Sequence, residues 1–343
     1  MEMPEFNYNV FIQTLYMKFI YTYMEYTNLG YTDLKVSKLC LGGMSFGSAA
    51  WMADRQTSIK IIKKAIDYGI NFIDTANIYS SGESEKIVGE AVSGYRSELV
   101  ISTKGGGKIN DFVQGFSRTV LENELRNSIK NLRTDYVDIY FLHTIFDNVD
   151  FSDTAKTLSE FVSSGKVGYT GLSNFAGYQL AEFYTVMDLQ ENIRPVIVQN
   201  HYNAVYREDE RDAINFCNKH RIAYSPFSPL AAGFLSGKYR RGENTETTRT
   251  RTYPVMKSRY FSNEDYDVLE SMEEVARSKG ISVSQLALAY ILNKGFIPVI
   301  GATKPEYLDD DIEALKIKLG KDDIAAIEEK YKPHRIIKGT AGY

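Results

Sequence analysis

Along the chain, short apolar runs alternate with longer stretches whose apolar residues recur every three or four positions. The runs are KLCLGG (38–43), NFIDTA (71–76), LVISTK (99–104), VDIYFLH (137–143), VGYTGLS (167–173), PVIVQN (195–200), IAYSPF (222–227) and FIPVIGA (296–302). Helical spacing fills the intervals, as in QTSIKIIKKAIDYG (56–69), RTVLENELRNSIKNLR (118–133) and the pair NEDYDVLESMEEVARSKG (263–280) and SVSQLALAYILNKG (282–295). Continuous apolar strands separated by amphipathic helices predict a parallel sheet covered on its faces. Eight such runs predict an α/β protein with the (β/α)8 barrel architecture. An open doubly wound sheet would place a G-x-G-x-x-G turn after its first strand, and neither LGGMSFG (41–47) nor KGGGKIN (104–110) fits that pattern.

Barrel chemistry sits where the strands end. The second run ends in Asp74, the third in Lys104 and the fourth in His143. One ionisable residue there is ordinarily a turn cap; three on neighbouring strands, with opposite charges among them, predict a site. A lysine at the barrel mouth needs a counter-charge, because burying it unpaired costs several kcal/mol, and Asp74 can supply one. Tyr79, just beyond Asp74, would then lie beside the Lys104 cation, which is expected to lower a phenol pKa that starts near 10. A proton donor, a cation and a neutral His143 meeting one oxygen suit carbonyl reduction, with the hydride coming from elsewhere.

Composition narrows the alternatives. The 343 residues are 43% hydrophobic and 24% charged with net charge −4, which is ordinary globular usage and gives no electrostatic reason to expect nucleic acid. Cys40 and Cys217 form neither a metal spacing nor a disulfide framework, and His143, His201, His220 and His334 are scattered, so no metal is expected and a cytoplasmic location is the default. No stretch approaches the roughly 18 apolar residues of a membrane span. Residues 1–23 are aromatic-rich and make a poor signal peptide. They read as an extension outside the fold, with residues 24–343 forming the barrel domain.

Six segments, in order, resemble the aldo-keto reductase superfamily, in particular its microbial members. They are GINFIDTANIYSSGESEKIVGEAV, GFSRTVLENELRNSIKNLRTDYVDIYFLH, GLSNF, VQNHYN, FSPLAAGFLSGKY and IPVIGATKPEYLDD. The likeness spans about residues 26–331 and implies a barrel with an N-terminal hairpin and extra C-terminal helices. It implies a catalytic tetrad of Asp74, Tyr79, Lys104 and His143, with Ser173, Asn174 and Gln199 on a nicotinamide carboxamide. Phe227, or alternatively Tyr224, is implied as the ring stacked on the nicotinamide. Ser228, Leu230, Ala232 and Lys238 are implied at the pyrophosphate, with Leu235 beside them.

The resemblance also implies that Gly301, Thr303, Lys304, Tyr307, Asp310 and Asp311 receive the adenosine end. A helix starting near Pro305 would present N–H groups there to an anion. Lys304 with Thr303 suits the 2′-phosphate of NADPH, with NADH as the second choice. Tyr307 and Asp311 depart from the Gln or Arg and the Asn more usual in the family. The expected activity is NADPH-dependent reduction of a small-molecule aldehyde or ketone. The contrasting possibility is a cofactor-binding subunit like the potassium-channel β subunits, whose histidine position is altered where His143 is intact here. The tract 238–260, rich in basic residues, reads as a flap over the cofactor, and Trp51 and Met52 as a wall of the substrate pocket.

Overall fold

The computed structural model describes residues 24–107, 115–146, 149–243, 245–253 and 255–335; the expected extension 1–23 lies outside them. The chain opens with an antiparallel hairpin, β1 (Tyr26–Asn28) and β2 (Lys35–Ser37), in the register Thr27 opposite Val36. Eight parallel strands follow: β3 (Cys40–Gly42), β4 (Phe72–Asp74), β5 (Val100–Gly105), β6 (Val137–Leu142), β7 (Val167–Ser173), β8 (Ile197–Gln199), β9 (Ala223–Tyr224) and β10 (Val299–Ile300). Their order is β10-β3-β4-β5-β6-β7-β8-β9. The ends of this sheet also meet, because the Ile297 N–H donates to the Tyr224 carbonyl at 3.0 Å and the Val299 N–H to the Pro226 carbonyl at 2.9 Å. These are the expected eight strands of a (β/α)8 barrel.

Alternation along each strand sorts the core into two layers. Cys40, Phe72, Val100, Ile139, Phe141 and Ile197 form one buried cluster, joined by Leu29 and Val36 from the hairpin. The hairpin therefore stops the N-terminal end of the barrel. Ile73, Ile101, Tyr140, Leu142, Leu172 and Val198 face outward into the larger cluster beneath the helices. Gly171 lies on the inner face, where an added Cβ would come within 2.5 Å of the Phe141 ring; the missing side chain lets that ring fill the barrel. With apolar residues filling the lower barrel, polar side chains are confined to the C-terminal rim.

Two helices, Asn263–Lys279 and Val283–Asn293, connect β9 to β10, each opened by a capping box (Ser262 with Asp265, Ser282 with Gln285). The tract read as a flap contains two short helices, Thr248–Thr252 and Val255–Arg259. Thr247 caps the first of them, and Met256 and Tyr260 are buried, so this segment is anchored rather than loose.

Candidate active site

The alternation that buries Phe72 on the inner face also puts Asp74 there, two residues on. In the same way Ser102 and Lys104, Phe141 and His143, Gly171 and Ser173, and Ile197 and Gln199 share inward faces. Asp74 and Lys104 are 1% and 0% exposed and form an ion pair through Oδ2 and Nζ. Lys104 Nζ donates a second bond to the Thr75 carbonyl at 2.9 Å, and Asp74 Oδ1 accepts from Ser102 Oγ at 2.6 Å. Ser102 was not among the expected site residues. Its position two before Lys104 on the same strand face was the available signal.

The Lys104 ammonium lies over the Tyr79 ring, 5.1 Å from its centroid. Tyr79 and His143 meet edge to face, with centroids 5.7 Å apart at 81°. The structure reverses one expectation here. Desolvation, and then the Asp74 carboxylate, push the Tyr79 phenol well above its ordinary value of 10 and outweigh the Lys104 cation. The lysine charge is offset by Asp74, and it approaches the ring face of Tyr79. His143 is fully desolvated and sits close to Lys104, which together hold it well below 6.5. It is therefore neutral at physiological pH and able to donate a hydrogen bond.

Ser173 and Gln199 are buried beside this group. Asn174, in the left-handed region at φ 61°, donates through its side chain to the His143 carbonyl at 2.9 Å and to Ser173 Oγ at 3.0 Å. Gln199 Nε2 and His143 Nδ1 are buried with no partner among the described residues. A buried donor without a partner costs about 1–3 kcal/mol, which makes Gln199 a ready receptor for a carboxamide oxygen. The alternatives left open at 224 and 227 separate here. Tyr224 lies in the helix layer, its hydroxyl donating to Asp209 Oδ2 at 2.8 Å. Phe227 stands at the rim, stacked on His201 at 5.4 Å and 10°.

Beyond Phe227 the backbone takes unusual values, with φ 55° at Ser228, 48° at Ala231 and 55° at Ala232. Backbone N–H groups in such a turn can face an anion, although the Ala231, Gly233 and Leu235 N–H groups are taken by the Ser228 and Leu230 carbonyls. Lys238 has its ammonium held below the ordinary lysine value by desolvation and then by the nearby Arg249 guanidinium. Like charges this close favour an anion between them.

At the adenosine end the helix runs Tyr307–Glu313, two residues later than expected. The Tyr307, Leu308 and Asp309 N–H groups are bonded to the carbonyls of Lys304, Pro305 and Glu306. These turn bonds use up the first amides of the helix, while the Lys304 side chain just ahead of them is exposed. Gly301 is exposed, and Asp310 accepts from Gln285 Nε2 at 2.9 Å. Burial, then Asp310, push Asp311 up to about 8, so near neutral pH it is mostly uncharged and adds little repulsion towards a phosphate.

A cavity of about 910 Å³ opens above Tyr79, lined there by Met44, Trp51, Met52, Ile78 and Tyr253. Trp51 and Tyr253 join its two sides, with ring centroids 5.7 Å apart, and Arg249 lies over Trp51 at 4.8 Å. The flap thus reaches the loop after β3, a junction that sequence separation hides.

Comparison with known proteins decides the family: residues 38–332 match the model of the aldo/keto reductase family. The chain belongs to the aldo/keto reductase family. The curated relatives of this aldo/keto reductase include a putative aryl-alcohol dehydrogenase of Saccharomyces cerevisiae, 32% identical over 88% of this chain and 95% of the relative. A putative aryl-alcohol dehydrogenase of Schizosaccharomyces pombe is 33% identical, with 87% and 93% covered. An aldo-keto reductase of Alternaria alternata is 31% identical, with 87% and 89% covered. The aldo/keto reductase is thereby an oxidoreductase of carbonyl and alcohol groups. Among its described residues no helix is long and apolar enough to cross a membrane, and no three His, Cys, Asp or Glu side chains group to hold a metal.

Proposed function

We propose that the protein reduces an aldehyde or ketone reversibly to the alcohol, using NADPH, with Tyr79 as the proton donor. The observation that carries this reading is the Asp74–Lys104 ion pair, closed off from solvent below Tyr79 and beside a neutral His143. A nicotinamide bound against Ser173, Asn174 and Gln199 supplies the hydride. Gln199 satisfies its unpartnered amide nitrogen on the carboxamide oxygen, and Phe227 covers the ring face. His143 donates to the carbonyl oxygen while Tyr79 gives up its proton, so that the new alkoxide never forms unpaired in a desolvated site. Ser228, Leu230, Ala232 and Lys238 take the pyrophosphate. Gly301, Thr303, Lys304, Tyr307, Asp310 and Asp311 line the adenosine end.

The names of two relatives as aryl-alcohol dehydrogenases and the aromatic wall of Trp51 and Tyr253 favour an aromatic aldehyde. A panel of aromatic and aliphatic aldehydes, followed by NADPH absorbance, tests the reading. Absence of turnover across the panel would restore the non-enzymatic alternative.

Two further outcomes follow from the same residues. Because the Tyr79 phenol is raised above 10, it stays protonated across neutral pH. Reduction should hold its rate on the alkaline side to at least pH 10. Alcohol oxidation needs the phenolate and should climb about tenfold per pH unit. A fall in oxidation between pH 7 and 9 would count against Tyr79 as the titrating group. Lys304→Ala should raise the KM for NADPH roughly 10- to 150-fold, since a charged hydrogen bond to phosphate contributes about 1.5 to 3 kcal/mol. The KM for NADH should hardly move; an equal rise for both cofactors would remove Lys304 from the 2′-phosphate.

A further inference from the structure

Behind the catalytic group lies a carboxyl that the mechanism does not use. Glu124, on the helix Arg118–Leu132, is 4% exposed and belongs to the wall of the same cavity as Tyr79. Its Oε2 accepts the Gly106 N–H at 2.6 Å, and the Asn77 side chain faces it. Both contacts lead to the reacting groups. Gly106 stands two residues after Lys104, in a turn with φ 75°, and an added Cβ at Gly107 would lie 3.5 Å from His143 Nδ1 and 3.3 Å from Ile78. Asn77 stands two residues before Tyr79, and its own N–H donates to the Lys104 carbonyl at 3.2 Å.

The turn has little freedom to find another arrangement. An added Cβ at Gly105 would meet the Tyr140 hydroxyl at 1.9 Å and Glu124 Oε2 at 2.9 Å, and one at Gly106 would meet the Phe116 ring at 2.4 Å. Glu124 thus holds the turn after Lys104 and lies beside Asn77, two residues ahead of Tyr79.

We propose that Glu124 is a positioning residue of this aldo/keto reductase: its carboxylate, bonded to the Gly106 N–H, holds the 105–107 turn against His143 and beside Asn77, so that turnover depends on its charge. The inference rests on the reading of Tyr79 and His143 given above. Glu124 is not retained for stability. Burial, opposed by the Gly106 hydrogen bond and the nearby Asn77 amide and reinforced by Glu85, raises it from 4.5 to about 7. A carboxyl raised on folding favours the native state below 4.5, and that contribution is lost as pH rises through 7. The titratable groups around it are Glu85 from the helix Glu83–Ala91, which disfavours its ionisation, the Tyr140 phenol from β6, which stays neutral, and Lys86 and Lys130, which line the same cavity. An anion kept in such surroundings at pH 8 costs stability and needs another reason to be there.

The test compares wild type with Glu124→Gln, which preserves shape and can still accept from the Gly106 N–H but carries no charge. The expected wild-type kcat falls as pH is lowered through about 7, and this limb is absent in Glu124→Gln, whose kcat at pH 8 is about three- to tenfold lower with unchanged KM for NADPH. Glu124→Gln should also melt higher than wild type at pH 8. Hydrogen exchange of the 102–107 segment gives a readout free of turnover: its protection, corrected for intrinsic rates, should weaken below pH 7 in wild type only. Survival of the acid limb in Glu124→Gln, a lower melting temperature at pH 8, or exchange that ignores pH would each overturn the proposal. If no carbonyl is turned over while exchange titrates as expected, the fault lies with the catalytic reading and not with the anchoring by Glu124.

Discussion

Tyr79→Phe is expected to reduce aldehyde turnover by about 10²- to 10⁴-fold, the usual contribution of a positioned general acid, equivalent to roughly 3 to 5 kcal/mol of barrier. The loss should fall on kcat. The phenylalanine ring keeps the edge contact with His143 and the approach of Lys104, so the pocket retains its shape. NADPH affinity should be unchanged, and Trp51 can report it, because the chain holds one tryptophan and it lines the cavity. The other group with a proton near the carbonyl oxygen is His143. His143 is neutral and held well below 6.5, which suits hydrogen-bond donation and leaves it a poor source of a full proton. Retention of more than about a tenth of wild-type turnover, in an assay limited by the chemical step, would move the donor role to His143.

The eight strands and the inner rim were legible because each follows from a local rule. An apolar run of strand length ends in one polar residue, and alternation then tells which neighbours share its face. Asp74, Lys104, His143, Ser173 and Gln199 all obey it, and the structure brings the five to one end of the barrel. Asn174 departs from the alternation, its left-handed backbone turning the side chain back onto Ser173 and the His143 carbonyl. Helix ends were less legible. After β10 the helix Tyr307–Glu313 passes into a tighter turn at Ala314–Lys316, and apolar periodicity does not distinguish the two.

What stayed hidden depended on distance in the fold. The direction of the Tyr79 shift is decided by how much water the folded barrel removes and by where the Lys104 charge is spent, neither of which spacing reveals. The contact of Trp51 with Arg249 and Tyr253 joins segments about two hundred residues apart. Glu124 looks in the sequence like one more charge on an amphipathic helix, and only the packing of that helix against the 105–107 turn puts it under the site.

Lys104→Met should destabilise the protein by about 3 to 5 kcal/mol, the cost of leaving a buried carboxylate without its cation. Asp74 is 1% exposed and keeps only the Ser102 hydroxyl as a side-chain hydrogen-bond partner, so a single neutral hydrogen bond must stand in for an ion pair. The loss should shrink on acidification, because a protonated Asp74 carries no charge to desolvate. Adding Asp74→Asn to Lys104→Met should restore much of the stability, since the double variant buries two neutral side chains of similar size and no lone charge. Activity should not return with it. With both charges gone, nothing positions a cation beneath Tyr79 or compensates negative charge as its proton leaves, and turnover should stay at least as low as in Lys104→Met. The four proteins of this cycle, compared by denaturant unfolding and by turnover with saturating NADPH, separate the two roles of the pair. A Lys104→Met protein as stable as wild type would show that Asp74 is not held as a buried anion, and recovery of turnover in the double variant would remove the ion pair from the chemistry.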